Sequence, residues 1–110
     1  MEEPVKGDVV VIPFPFSDLS TTKKRPALVV ANPSGDDRIL CQITSRARAE
    51  NYLITLNNSD FLEGSLNLAS FIRPDRLFTV DRSLILYKAA TLKKEKMNCV
   101  TDKICEILRD

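Results

Sequence analysis

Pro26-Ala27-Leu28-Val29-Val30-Ala31, then Asn32-Pro33-Ser34-Gly35-Asp36-Asp37, then Arg38 through Ser45: this stretch decides the fold. The first part is a nearly continuous apolar run rich in β-branched residues and too short for a stable helix. The middle is dense in proline, glycine, asparagine and aspartate, the residues that fix or tolerate turn dihedrals. The third part resumes strand chemistry, so the whole reads as two strands joined by a turn, a hairpin.

Working outward, Val9-Val10-Val11-Ile12, bounded by Gly7 and Pro13, is another β-branched run and a first strand. Phe14 to Lys24 carries Pro15, Ser17, Asp18, Ser20, Thr21 and Thr22, a polar composition expected of a long exposed loop of the kind that often serves function. Downstream, Asn51 to Leu56 is a strand candidate ended by Asn57-Asn58-Ser59-Asp60, followed by a less regular stretch through Gly64. Ser70 to Ile72 and Leu77 to Val80 are expected as two short strands interrupted at Arg73-Pro74-Asp75, because Pro74 has no N–H to give to a central ladder. Leu84 to Leu92 adds one more.

The period then changes. Met97, Val100, Ile104, Ile107 and Leu108 step by three or four, which predicts an amphipathic helix over Lys93 to Arg109. With 110 residues, no linker and no internal repeat, the chain is expected to be one β-rich (α+β) domain over 1–110. Short strands at close intervals favour a compact antiparallel barrel or sandwich over a parallel βαβ sheet.

Composition narrows the chemistry. Lys and Arg total 16 against 15 Asp and Glu, so the net charge of +1 excludes a bulk polycation. The basic residues are clustered, in Lys23-Lys24-Arg25, Arg46 with Arg48, Arg73 with Arg76, and Lys93-Lys94 with Lys96, although such runs are usually solvated surface. There is no histidine, which removes the commonest general base and metal ligand. Gly7, Gly35 and Gly64 stand too far apart for a phosphate-cradling loop. Cys41, Cys99 and Cys105 have no metal-ligand spacing and are expected as free thiols, and no metal site is expected. The acidic start Met1-Glu2-Glu3-Pro4 lacks the pattern of a secretory signal, and no apolar run reaches the length of about 20 residues that spans a bilayer, so the expectation is cytoplasmic with no membrane role.

Four blocks say more: Lys6-Gly7-Asp8-Val9-Val10, Lys24-Arg25-Pro26-Ala27-Leu28-Val29-Val30, Gln42-Ile43-Thr44-Ser45, and Ser70-Phe71-Ile72-Arg73-Pro74-Asp75-Arg76-Leu77. In these blocks and their order the chain resembles the PemK/MazF family. The resemblance implies an SH3-like barrel of twisted antiparallel strands with a C-terminal α-helix, related to the CcdB fold. It implies a homodimeric toxin of a type II toxin-antitoxin system, silenced by a cognate antitoxin. It further implies a sequence-specific endoribonuclease that needs no cofactor or metal, cleaves single-stranded RNA, mRNA included, by attack of the ribose 2′-OH, and so stops translation and growth.

Carried over by position, the family's arginine before Pro-Ala falls on Arg25 and its threonine on Thr44. Arg73 and Asp75 match an arginine and an aspartate proposed as acid and base in some plasmid-encoded relatives. Ser17, Asp18, Lys23, Lys24, Ser45 and Ser70 are the RNA-binding candidates. The chemistry is coherent, since a guanidinium keeps its charge at any working pH and its donor fork matches phosphate oxygens. Thr44 supplies a hydroxyl to orient the phosphate or the 2′-OH. Taken singly, Arg25 also reads as a surface residue of a strand edge, Thr44 as a residue chosen for strand propensity, and Arg73 with Asp75 as an ion pair at a bend.

The chain departs from the family in carrying Phe16-Ser17-Asp18 where many relatives have a glycine-acidic pair, Ala89-Ala90 in place of a common glycine, and Gln42 where many have proline. Two competing functions are a non-enzymatic CcdB-like toxin that binds DNA gyrase and a catalytically inactive SH3-like RNA-binding module.

Overall fold

The computed structural model describes residues 3–15, 22–46 and 52–110. Its strands are β1 (Asp8–Pro15), β2 (Thr22–Ala31), β3 (Asp37–Thr44), β4 (Ile54–Leu56), β5 (Phe61–Gly64), β6 (Ser70–Asp81) and β7 (Tyr87–Leu92), closed by helix α1 (Lys94–Arg109). All paired strands run antiparallel in one curled seven-stranded sheet of order β4-β6-β3-β2-β1-β7-β5. This is the expected fold class, a half-barrel with a C-terminal helix.

The β2–β3 hairpin lies at the middle of the sheet, with Gly35 at φ +94° in its turn, a conformation costly for any residue bearing a Cβ. The β1–β2 connection is shorter than the sequence suggested. The two strands pair out to Pro15↔Thr22, so Lys23 and Lys24 are strand residues opposite Phe14 and Pro13. The two prolines are tolerated for a geometric reason. The Val11 carbonyl accepts from Leu86 N at 2.9 Å, so Val11, Pro13 and Pro15 turn their backbone polar groups toward the β7 side, and β7 pairing with β1 ends at Val11. No ladder bond is forfeited there.

The expected break at Pro74 takes a different form. β6 is one strand of 12 residues, and its register on β3 passes from Gln42↔Arg73 to Cys41↔Leu77. Pro74, Asp75 and Arg76 form a bulge that takes the proline out of the ladder without ending the strand. β5 was missed because Phe61-Leu62-Glu63-Gly64 has neither clear alternation nor β-branched residues. It exists because β7 offers an edge, and it approaches closely enough that a Cβ on Gly64 would collide with the Ala89 carbonyl. β7 starts at Tyr87 rather than Leu84, because Arg82–Leu84 form a 3-10 turn. Asp81 caps that turn by accepting from Ser83 N at 2.9 Å, a bond that holds its carboxyl below the usual range.

Alternation sends side chains to two apolar clusters. On one face Val9, Leu28, Cys41, Ile43 and Ile72 pack with Met97, Val100 and Ile104 of α1. On the other, Val10, Ile12, Ala27, Val29 and Leu40 pack with Ile85. The helix follows its predicted face through Ile104, while Leu108, one residue from the end, is 70% exposed.

Candidate functional site

The ladder registers place the candidate residues. Ala27 on β2 faces Gln42 on β3, and Gln42 faces Arg73 on β6. Two residues further along, Arg25 and Thr44 belong to the same pleat, because every second side chain leaves a strand on one face. Arg25, Gln42, Thr44 and Arg73 therefore share the sheet face opposite α1, beyond the margin of the Val10–Ile12–Ala27 cluster.

There they line a cavity of about 360 Å³ formed by Lys23, Arg25, Gln42, Ile43, Thr44, Arg46 and Arg73. Among the described residues its lining carries four cations and no carboxylate. A chain of almost zero net charge has thus concentrated positive charge in one concavity, where low-dielectric walls focus the field. Arg73 is 7% exposed and donates from Nη1 to Gln42 Oε1 at 3.1 Å. Thr44 Oγ1 accepts from Arg46 N at 3.2 Å, an arrangement that ends β3 and leaves the hydroxyl proton to be given to a neighbour.

Arg25 also lines a second, larger cavity of about 550 Å³. Lys24, Ser45, Asn67, Ser70, Tyr87 and Lys88 supply its polar side, and Val11, Pro26, Ile43, Leu66 and Leu68 its apolar side. Ser70 is buried and its Oγ donates to the Leu68 carbonyl at 2.8 Å, which fixes the corner entering β6.

Of the residues singled out in the sequence, Arg25, Thr44, Arg73 and Lys23 come together in the first cavity, and Lys24, Ser45 and Ser70 in the second. Asp75 is exposed in the β6 bulge and lines neither. Ser17 and Asp18 lie outside the described residues. Gln42 and Arg46 were not among the candidates, although Gln42 is conspicuous as an amide inside Ile39-Leu40-Cys41-Gln42-Ile43. Tyr87, Lys88 and Asn67 carried no local signal, since only barrel curvature brings them near β2. Cys41 is buried, and burial pushes its thiol up to about 12, which removes it as a nucleophile. Among the described residues no group of His, Cys, Asp and Glu is arranged to hold a metal ion, and no helix is long and apolar enough to cross a membrane.

Residues 5–108 match the family model described as the PemK-like, MazF-like toxin of type II toxin-antitoxin systems. The chain belongs to the PemK/MazF toxin family. No curated protein sequence matches it. Among solved structures it is similar to MazF in a MazE–MazF complex from Deinococcus radiodurans, at 23% identity and a TM-score of 0.77, over 97% of each chain. It is similar to an endoribonuclease in complex with its cognate antitoxin from a mycobacterial species, at 16% identity and a TM-score of 0.75, over 96% of this chain and 94% of that one. It is also similar to the Mycobacterium tuberculosis toxin MazF-mt6, at 17% identity and a TM-score of 0.70, over 93% of this chain and 96% of that one. At such identities the structures speak for the fold, while the family model over nearly the whole chain carries the membership. Within this PemK/MazF barrel, the blocks containing Lys24 to Val30, Gln42 to Ser45 and Ser70 to Leu77 each contribute residues to the two cavities.

Proposed function

We propose that this PemK/MazF-family chain is a metal-independent endoribonuclease that cuts single-stranded RNA in a sequence-specific way and arrests translation. The observation that carries this reading is the gathering of Arg25, Thr44, Arg73, Lys23 and Arg46 around one cavity. Cleavage without a metal proceeds by attack of a ribose 2′-OH on the adjacent phosphorus. The new P–O bond closes a 2′,3′-cyclic phosphate, the bond to the 5′ oxygen breaks, the 2′-OH gives up its proton and the departing oxygen takes one.

The demand on the protein is greatest at the phosphorane, where negative charge is crowded, and preorganised guanidinium donors answer it. Arg25 stabilises that charge, Thr44 donates its hydroxyl proton to a phosphate oxygen, and Arg73 binds from the opposite wall. Arg73 and Asp75 remain the proton-carrying pair by family position. For Asp75 this requires the β6 bulge to swing toward the cavity when RNA binds. The adjoining cavity, with the Tyr87 ring, the Asn67 amide and Lys24, Lys88, Ser45 and Ser70, suits a flanking nucleotide, since single-stranded bases are held by stacking and edge hydrogen bonds.

The Deinococcus MazF is found with MazE and the mycobacterial endoribonuclease with its antitoxin. We infer a cognate antitoxin here as well, with an acidic, partly disordered segment that competes with RNA for the cationic cavity. The toxin works in the cytoplasm as a homodimer. The deciding experiment is digestion of a diverse single-stranded RNA pool in excess EDTA with sequencing of the ends. Cleavage at a short motif, leaving cyclic phosphate and 5′-OH ends, is expected. An intact pool together with growth arrest on expression would replace this reading with a non-enzymatic toxin, such as one that binds gyrase. Salt-sensitive binding without cutting would indicate an inactive RNA-binding module.

A further inference from the structure

β4 and β5 are the two edges of the sheet, and the chain passes between those edges through the 3-10 turn Asn58–Asp60 and leaves β5 for β6 through residues 65–69. Both connections line a further cavity, of about 490 Å³. Leu56, Phe61 and Leu66 supply its apolar side, and all three belong to the core packed under α1. Asn57, Asn58, Ser65 and Asn67 are exposed and supply its polar side. Among the described residues its lining carries no charged side chain. The carboxylate of the turn is engaged elsewhere, since Asp60 Oδ2 accepts from Asn57 N at 2.7 Å and pairs with Lys96 Nζ of α1 at 3.2 Å. Those bonds also fix the turn that carries Asn57 and Asn58.

This cavity shares Ser65, Leu66, Asn67, Leu68 and Ser70 with the larger one that Arg25 lines, so an RNA strand held at Arg25 can extend into it. The two differ in character. Lys24 and Lys88 line the larger one, and amides, hydroxyls and apolar side chains the other. Such a lining does not select a phosphate, which is held best by charged donors. It suits a nucleobase, whose ring packs on apolar side chains and whose edge sets donor and acceptor atoms side by side. One amide offers both and meets that edge with two hydrogen bonds. We propose that this cavity is a base-reading subsite, with Asn57, Asn58 and Asn67 determining which base is accepted at one position beside the cut. The proposal rests on the nuclease reading and names where its sequence preference is set.

The test compares Asn57→Ala and Asn58→Ala, singly and together, with Ser59→Ala, a residue of the same turn outside the cavity lining. Each full-length protein digests a diverse single-stranded RNA pool in excess EDTA, and the ends are sequenced. The double variant is expected to lose about tenfold in preference at one position beside the cut, the scale of one doubly hydrogen-bonded base contact. Sequences with the other bases there are expected to be cut at the wild-type rate, and Ser59→Ala to keep the wild-type motif. An unaltered motif in the double variant overturns the proposal, as does a rate loss equal for all four bases, which marks a structural role of the turn. If the wild-type protein cuts no RNA, the nuclease reading fails on that result alone, and sequences selected by binding from the same pool decide the subsite. A motif enriched on the wild type and lost on the double variant upholds it, and no difference between the two overturns it.

Discussion

Two buried arginines stand near opposite ends of the β3–β6 ladder, and their surroundings differ. Arg38, 3% exposed, is satisfied by the protein itself: Nε donates to the Pro4 carbonyl at 2.7 Å, and Nη1 donates to the carbonyls of Gly35 at 2.9 Å and Asp37 at 2.8 Å. Glu3 faces Nη2 at 3.8 Å and also pairs with Arg82, which in turn holds Asp36 at 3.1 Å. Arg73, 7% exposed, is steadied by a neutral amide and lines a cavity with three further cations. One charge is used up in joining the N-terminal segment to the hairpin turn. The other faces a cavity lined by further cations. Equal burial therefore says little about role, and what each guanidinium touches says more.

The contrast can be broken by substitution. Arg25→Ala, at the wall where both cavities meet, is expected to cut RNA cleavage by about 10²–10³-fold, the cost of removing one donor to a developing oxyanion. Arg73→Ala should cost less, and both variants should unfold within about 1 kcal/mol of the wild type, measured by urea titration. Arg38→Met should do the reverse: a loss of about 2–3 kcal/mol of stability, as three carbonyls lose their donor, with unaltered cleavage per folded molecule. If Arg38→Met abolished cutting while remaining fully folded, the division of roles would be wrong.

Cys41, which lies on β3 between Arg38 and the Gln42 that faces Arg73, provides a third treatment of a buried group, one kept uncharged. Its thiol keeps the proton in the folded state to about 12 and ionises in the unfolded chain near its ordinary 9.0. The unfolded state then binds fewer protons than the folded one between those values, so stability is expected to fall as pH rises above about 9 and to be unaffected by this group below it. Denaturation curves at pH 8 and 10 for the wild type and Cys41→Val measure this, with the slope reduced in the variant. The smallest effect is expected for Glu3→Gln, at most about 1 kcal/mol, because Glu3 is 65% exposed and its ion pairs are screened by solvent. A melting curve in low and high salt would register it.

The strands with β-branched or alternating residues were legible from their residues alone: β1 around Val9–Ile12, the β2–β3 hairpin, and α1 from the spacing of Met97, Val100 and Ile104. Those signals reflect local burial, which alternation and helical period report directly. β5 was not legible, because Phe61-Leu62-Glu63-Gly64 becomes a strand only when the β7 edge is beside it. Neither was the continuity of β6, since a bulge that hides Pro74 depends on the register of β3.

The same division holds for the site. Arg25, Thr44 and Arg73 were singled out through the family resemblance that the ordered blocks carry, and the absence of histidine already restricted the chemistry. That they share one face of the sheet was decided by the β2–β3–β6 register. So was the pairing of Gln42 with Arg73, two residues 31 positions apart. Sequence sets which side chains are available and which way each strand alternates. Only the closing of the ladders determines which of them stand opposite one another, because a cross-strand neighbour is a property of register and not of any one strand.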